Sequence, residues 1–467
     1  MNEKQNNIAR NRILNFVDEG SFVELFEAVT CRKTDMSLKD VCDSSDGVVT
    51  GYGLMNGRLA FFYSQNPDVL HGTLGEMHCK KIVALYAQAV KMGAPVIALL
   101  DSSGMRLQEG VDALTGLGEV LSAVTEASGL VPMYTVVYGN CGGGLSIIPA
   151  LSDFAYIVEN KGRLFVNSPN VIDDNYTEKL DTADGKFKEL YSGVVDECSS
   201  EEEIVGKIKR LMEILPSNNT EGVYTDTTAD DLNRLIDGMD SSNYEARVLI
   251  NNIADNYEFI ETKKQYAEDM ITGFIRLNSI PVGVVANNQE QSRLSTDALQ
   301  KGTDFVKFCD AYEIPLLFIS DVCGFETTIT AEKSIGRAMA MFIGAICEAD
   351  VPKVTLIPRK SYGTAYLLMN SKALDADFVY AWENAEMGIL PAKEATTILY
   401  PEEKDMAVLN GYTAEYKESH NSTMAFAKRA QVDRVIDAKS TRKYLVSAFD
   451  LLFTKYSCVQ DKKHNLR

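Results

Sequence analysis

Hydrophobic and polar positions in this chain alternate between two periods. Asp46–Gly57 (DGVVTGYGLMNG) has the period of two of a strand and closes on Asn56-Gly57, the dipeptide of a type I′ hairpin turn. Arg58–Ser64 reads as the returning strand. Thr73–Met92 then takes the helical period, with Leu74, Met77, Ile82, Leu85 and Ala89 on or near one face. Pro95–Asp101 (PVIALLD) is a continuous apolar run and predicts a buried strand. A polar glycine loop, SSGMRLQEG, a helix to Ser128 and a second apolar strand, Val131–Val137, follow. Residues 1–30 predict an amphipathic helix, then a turn into a second helix start over Asp18–Leu25. Strands alternating with helices predict an α/β core around a parallel sheet.

The pattern is laid down twice. Val131 to Val351 is 220 residues, and so is Gly143 to Gly363. PVIALLD at 95–101 answers PLLFISD at 315–321, and Gly104 answers Gly324, at the same spacing. SDFAY at 152–156 answers ADFVY at 376–380, where the spacing has grown to 224 through a small insertion. Each half therefore carries a strand, a glycine-rich turn (Gly142-Gly143-Gly144 in the first half, Tyr362-Gly363-Thr364 in the second) and a helix. The second half adds strands at PVGVVA, Pro315–Asp321 and Val351, and helices over Asp297–Ala311, Glu332–Glu348 and Thr441–Lys455. The polar, acidic stretch 217–245 reads as the linker. Two domains are expected, 1–235 and 236–467, a division that suits 467 residues.

Composition narrows the possible partners. A net charge of −20 disfavours nucleic acid and anionic membranes, which are bound largely through phosphate neutralisation. No apolar run approaches the roughly 20 residues that span a bilayer. The first residues lack the apolar core of a signal peptide, so a cytoplasmic location is expected. Nine cysteines without a CxxC pair argue against a disulfide framework or zinc ribbon, and no metal is expected.

The candidate chemistry is unusual for what is missing. The four histidines, His71, His78, His420 and His464, sit in no HExxH or Ser–His setting, and there is no GxSxG elbow or Walker loop. Backbone amides are left. A glycine turn opening a helix presents unpaired N–H donors with the positive end of the helix dipole behind them. Such donors suit the oxyanion of a thioester enolate, and two such turns suggest two carbonyls polarised in one reaction. Cys141 as a nucleophile and Ser146 as a ClpP-like serine are set aside, because no partner histidine can be placed. Arg106 and Glu109 bind substrate or pair with each other across one helical turn, and the sequence leaves both open. Tyr362 and Tyr366 pack or touch ligand. Arg359 and Lys360 are solvated or hold an acidic group near the second turn.

The motifs resemble a known family. DSSGMRLQEG (101–110) is similar to the DSGGARIQEG of biotin-dependent acyl-CoA carboxyltransferases, YGNCGGGLSIIPALSDF to GPCAGGAAYSPALTDF, and RKSYGTAYLLMNSKALDADFVYAWENAE to RKAYGGAYxxMxSKxLGADxxYAWPxAE. ARNRILNFVDEGSFVEL, SQNPDVLHGTLGE and VDRVIDAKSTRKYL extend the likeness over nearly the whole chain. It implies two tandem crotonase-like (ClpP/crotonase) domains, the first on the acyl-CoA side and the second on the biotin side.

The resemblance also implies carboxyl transfer between carboxybiotin, borne on a separate carrier, and the α-carbon of an acyl-CoA, with biotin's own nitrogen taking the α-proton. The Gly143 and Gly144 amides would hold the thioester oxygen, and the Thr364 and Ala365 amides the biotin ureido oxygen. Gly363, Tyr362, Tyr366, Leu367 and Arg106 would line the ligand sites. Biotin carboxylase and biotin carboxyl carrier subunits are the implied partners. The implied assembly is a homo-oligomer, a trimer of dimers, in which the first half of one subunit meets the second half of another. The same motifs fit a carboxyltransferase subunit of a sodium-pump methylmalonyl-CoA or glutaconyl-CoA decarboxylase. Departures cluster in the biotin-side half and motivate a third reading, a non-catalytic assembly subunit. Thr364 replaces a glycine, where a positive φ would strain a β-branched residue, Ser103 replaces another, and Asp321–Thr328 (DVCGFETT) lacks both family prolines.

Overall fold

The computed structural model describes residues 7–32, 45–222, 228, 230–288 and 293–455. The chain forms two units, Met1–Gly222 and Val223–Arg467, and the division falls inside the polar stretch read as the linker.

In the first unit the strands are β1 (Val23–Leu25), β2 (Val48–Met55), β3 (Arg58–Gln65), β4 (Val96–Ser102), β5 (Met133–Gly142), β6 (Phe154–Val158), β7 (Arg163–Phe165) and β8 (Asp196–Cys198). They form one sheet in the order β1-β2-β3-β4-β5-β6-β8, with β7 beside β5. The β2–β3 hairpin is antiparallel, and from β3 onward the neighbours are parallel. Asn56 and Gly57 both have positive φ (50° and 76°), as a type I′ turn requires. The short β1 stands where a second helix start is expected. It pairs with β2 from Val23 to Leu25, so sheet hydrogen bonding outweighs the local helical pattern there. The first helix is Ile8–Leu14; residues 1–6 of the expected helix lie outside the described residues.

The second unit repeats this plan with β9 (Ile260–Thr262), β10 (Met270–Leu277), β11 (Ile280–Asn287), β12 (Arg293–Leu294), β13 (Leu316–Ile319), β14 (Gly324–Phe325), β15 (Lys353–Ile357), β16 (Lys360–Tyr362), β17 (Phe378–Trp382), β18 (Glu386–Gly388) and β19 (Arg434–Ile436). Its main sheet runs β9-β10-β11-β13-β15-β17-β19, the same order as the first. Pairings outside the main ladders are duplicated too. Leu74 bridges Met105 as Leu294 pairs with Phe325, and Ser102 pairs with Cys141 as Val322 bridges Ser361. The four-residue insertion is taken up around the 3₁₀ turn Lys372–Leu374.

Helices Glu76–Met92 and Val111–Ala127 cover the first sheet, burying Ile82, Leu85, Ala89, Val120 and Val124 with Val96 and Val137. Helices Ala246–Ile253 and Thr441–Leu452 pack on the second with Trp382, whose indole Nε1 donates to Thr441 Oγ1 at 2.9 Å. His464 lies outside the described residues. Among the described cysteines Cys79, Cys141, Cys198, Cys309, Cys323 and Cys347 are free, while Cys31 is disulfide-bonded.

Candidate functional site

In the first unit, β5 carries the chain to Gly142 and Gly143 turns it. Gly143 has φ +61°, a conformation that L side chains rarely adopt, and a Cβ there would meet nothing within 4 Å. The 3₁₀ turn Gly143–Ser146 and helix Ile147–Leu151 follow. The N–H groups of Gly143 and Gly144 open this helical segment and have no acceptor within it. Gly142, Gly143 and Gly144 line a cavity of about 460 Å³, walled also by Leu74, Ser102, Ser103, Gly104, Met105, Leu107, Leu117, Asn140, Leu145 and Phe165. Largely apolar walls beside two first-turn amides suit a ligand with one polarisable oxygen on a hydrocarbon arm.

The nearby side chains have other occupations. Ser146 Oγ donates to the Gly143 carbonyl at 2.6 Å, which bends the turn instead of arming a nucleophile. Cys141 is fully buried, and burial pushes its thiol well above the usual range, away from the reactive thiolate.

For Arg106 and Glu109, the structure selects internal pairing. Arg106 Nη1 donates to Glu109 Oε1 at 2.7 Å and to Asp46 Oδ1 at 2.5 Å, and Nη2 donates to the Thr73 carbonyl at 2.8 Å. All three charged side chains have 0 % exposure. Arg106 is not among the residues lining the cavity: its guanidinium is held in this internal pairing, and its loop neighbours Gly104, Met105 and Leu107 form the wall. Asp46 was absent from the sequence-based set. The only sequence signal for it was an acid at the head of a strand, 60 residues from its partner.

In the second unit, β16 ends at Tyr362 and Gly363 repeats the turn with φ +64°, opening helix Gly363–Leu368. Thr364 is exposed and outside the positive-φ region, so the strain foreseen there does not arise, because Gly363 alone makes the left-handed turn. The Thr364 and Ala365 N–H groups follow it as the first-turn donors. Tyr362 is buried, and its hydroxyl donates to Glu386 Oε2 at 2.8 Å while Lys417 pairs with Oε1 at 2.7 Å. Tyr366 packs edge-on against Phe426 with centroids 5.8 Å apart, and its buried hydroxyl has no hydrogen-bond partner among the described residues. Leu367 is 37 % exposed, and Ile389, near Gly363, is also exposed. Arg359 pairs with buried Asp321 at 2.9 Å, and Lys360 is exposed.

Comparisons with known proteins agree with this fold. The carboxyl transferase domain family model matches residues 1–466. The propionyl-CoA carboxylase beta chain of Roseobacter denitrificans is 38 % identical over 98 % of this chain and 92 % of its own length. The methylmalonyl-CoA decarboxylase subunit alpha of Veillonella parvula is 37 % identical with the same coverage. A crystal structure of transcarboxylase 12S, a hexamer solved with methylmalonyl-coenzyme A and methylmalonic acid bound, superposes with a TM-score of 0.92 at 34 % identity, covering 98 % of this chain and 91 % of that one.

Proposed function

The chain belongs to the carboxyl transferase family, and from that membership we propose that it is the carboxyltransferase subunit of a biotin-dependent acyl-CoA carboxylase. The substrate is a short-chain acyl-CoA of the acetyl or propionyl class. The observation that carries this reading is the duplicated turn. Gly143 and Gly363, 220 residues apart, have φ of +61° and +64° and each opens a helix.

In the first unit the Gly143 and Gly144 N–H groups hold the thioester oxygen in the cavity. Charge developing on that oxygen during enolate formation is stabilised by donors already in place, and losing one such donor typically costs about 10²–10³ in rate. The apolar wall of Leu74, Met105, Leu117 and Phe165 keeps water from the enolate carbon.

The second unit fits a bound biotin. The Thr364 and Ala365 amides provide donors for the ureido oxygen, the orphaned Tyr366 hydroxyl offers another polar group, and Leu367 and Ile389 supply apolar surface. When bound, biotin brings the carboxyl group and the nitrogen that exchanges the α-proton. This chain's residues then have only to bind, orient and stabilise charge, in keeping with the shortage of catalytic histidines. Biotin is carried on a partner, a biotin carboxyl carrier subunit loaded by a biotin carboxylase, and the subunits assemble as a trimer of dimers.

The decarboxylase relative, nearly as similar as the carboxylase one at 37 % against 38 % identity, supports a second reading: the same transfer run in the direction of methylmalonyl-CoA decarboxylation. Purified protein given free biotin with malonyl-CoA or methylmalonyl-CoA should release CO₂ only when biotin is present. A well-folded oligomer that turns over neither thioester would overturn both enzymatic readings and leave an assembly subunit.

A further inference from the structure

The two units use different means to hold the N-terminus of the helix that follows their hairpin, and the difference points to a positioning device. In the second unit Ser295 caps helix Thr296–Ala311 with its own hydroxyl, which accepts from the Ala298 N–H at 3.1 Å, and Asp269 accepts from the Ser295 N–H at 2.7 Å. In the first unit the corresponding residue, 220 positions earlier, is Gly75, and helix Glu76–Met92 has no side-chain cap of its own. Its Glu76 N–H donates instead to Glu109 Oε2 at 2.6 Å, from the far side of the glycine loop. The other Glu109 oxygen accepts from Arg106, which also reaches Asp46 and the Thr73 carbonyl. A Cβ on Gly75 would overlap Arg106 Nη1 and Glu109 Oε1, so the glycine makes room for the ion pair.

The backbone completes the clamp. Leu74 N–H donates to the Gly104 carbonyl at 2.9 Å and Arg106 N–H to the Leu74 carbonyl at 2.8 Å, which sets Gly104 and Met105 in the wall facing Gly143. The second unit has Glu326 and exposed Ile329 at the positions of Arg106 and Glu109, and so no equivalent of the pair.

We propose that Asp46, Arg106 and Glu109 form a positioning cluster that holds the Ser103–Leu107 wall of the acyl-CoA cavity against the start of helix Glu76–Met92, so that Arg106 governs acyl-CoA affinity without touching the ligand. The proposal rests on the assignment of this cavity to the acyl-CoA. A rigid wall matters there because a pocket already fixed in its binding shape loses less ordering entropy when the ligand enters. One buried guanidinium shared by two carboxylates gives such rigidity, since any shift leaves a buried charge unpaired.

The test is calorimetric binding of malonyl-CoA to the full-length protein, an arm that needs no turnover, with the KM for free biotin in the decarboxylation assay as a second readout. Arg106→Lys keeps the charge but loses the fork, and Glu109→Gln keeps the shape but turns an acceptor into a donor. Ser295→Ala, which removes the helix cap of the second unit, is the control. Each variant is first checked for native oligomer mass. The two cluster variants should bind malonyl-CoA about tenfold more weakly through lost preorganisation, with the KM for free biotin unchanged, and Ser295→Ala should bind as the wild type does. Unchanged malonyl-CoA affinity in either folded cluster variant overturns the proposal, as does equal weakening by Ser295→Ala. If Arg106→Lys fails to assemble, Glu109→Gln alone decides the matter. Wild-type protein that binds malonyl-CoA without turning it over would refute the transferase reading while leaving this test intact. Wild-type protein that binds no acyl-CoA would refute both.

Discussion

At the scale of single residues, the second turn offers a clean separation of backbone from side chain. Thr364 is exposed in the first turn of its helix, a place where proline is tolerated. Thr364→Pro should therefore keep the assembly and lower biotin-dependent turnover by about 10²–10³, the usual loss for one oxyanion donor. Thr364→Gly, which keeps the N–H, should stay near wild-type rates. Equal rates in the two variants would remove the Thr364 amide from the mechanism. The same substitution at Gly143 is a poorer test, because proline's φ near −65° is incompatible with +61° and the whole turn would be rebuilt.

His78 gives a pH prediction. It is fully buried, with Nδ1 2.9 Å from the Asp46 carbonyl oxygen, and burial together with the Arg106 charge lowers its pKa to about 3. An unfolded histidine titrates near 6.5. Between those values the unfolded chain binds a proton that the folded chain refuses, so the contribution of His78 to stability is full above about pH 6.5 and declines toward pH 3. His78→Asn, which keeps a donor for the Asp46 carbonyl, should be less stable at pH 7 for lost volume. Its thermal midpoint should also fall less steeply than that of the wild type from pH 6.5 to 4.5. Parallel slopes would show that His78 does not govern acid lability.

At the scale of elements, the helix following each hairpin is held at its N-terminus in a different way, and the two devices should not be interchangeable. Gly75→Ser, which imports the cap residue of the second unit, drives a Cβ into the Arg106–Glu109 pair. It should cost about 1–3 kcal/mol, the usual range for overpacking, read from the denaturant midpoint. The hairpin and the helices at 76–92 and 296–311 were legible from periodicity because each buries one continuous face on its own sheet. The strand Val23–Leu25 was not, since its conformation is set by pairing to β2, a partner remote in sequence. The short pairings such as Leu74 with Met105 escaped notice for the same reason. Two or three residues carry no period.

At the scale of the whole molecule, duplication is the central fact. Both sheets have the same strand order, and pairings 220 residues apart reproduce each other. The halves have diverged where their proposed ligands differ. The first has a buried ion cluster behind an apolar cavity, and the second has an exposed Thr364 and Leu367 beside its turn. If the subunits form a trimer of dimers, light scattering on the purified protein should give a mass of six chains. A stable monomer would contradict the proposed assembly.

The sequence by itself determined the duplication, the α/β alternation and the two glycine turns. Apolar spacing and the left-handed freedom of glycine are local properties that any fold of this chain must respect. It also carried the family likeness, since motif order survives where single residues change. Only the tertiary structure decided what Arg106 does, because a guanidinium's partners depend on which carboxylates the fold buries beside it. Only the structure showed that Gly363, and not Thr364, makes the left-handed turn, and that Ser146 and Cys141 serve the turn and the core. These are matters of proximity and dihedral angle, and both arise when residues distant in sequence are packed together.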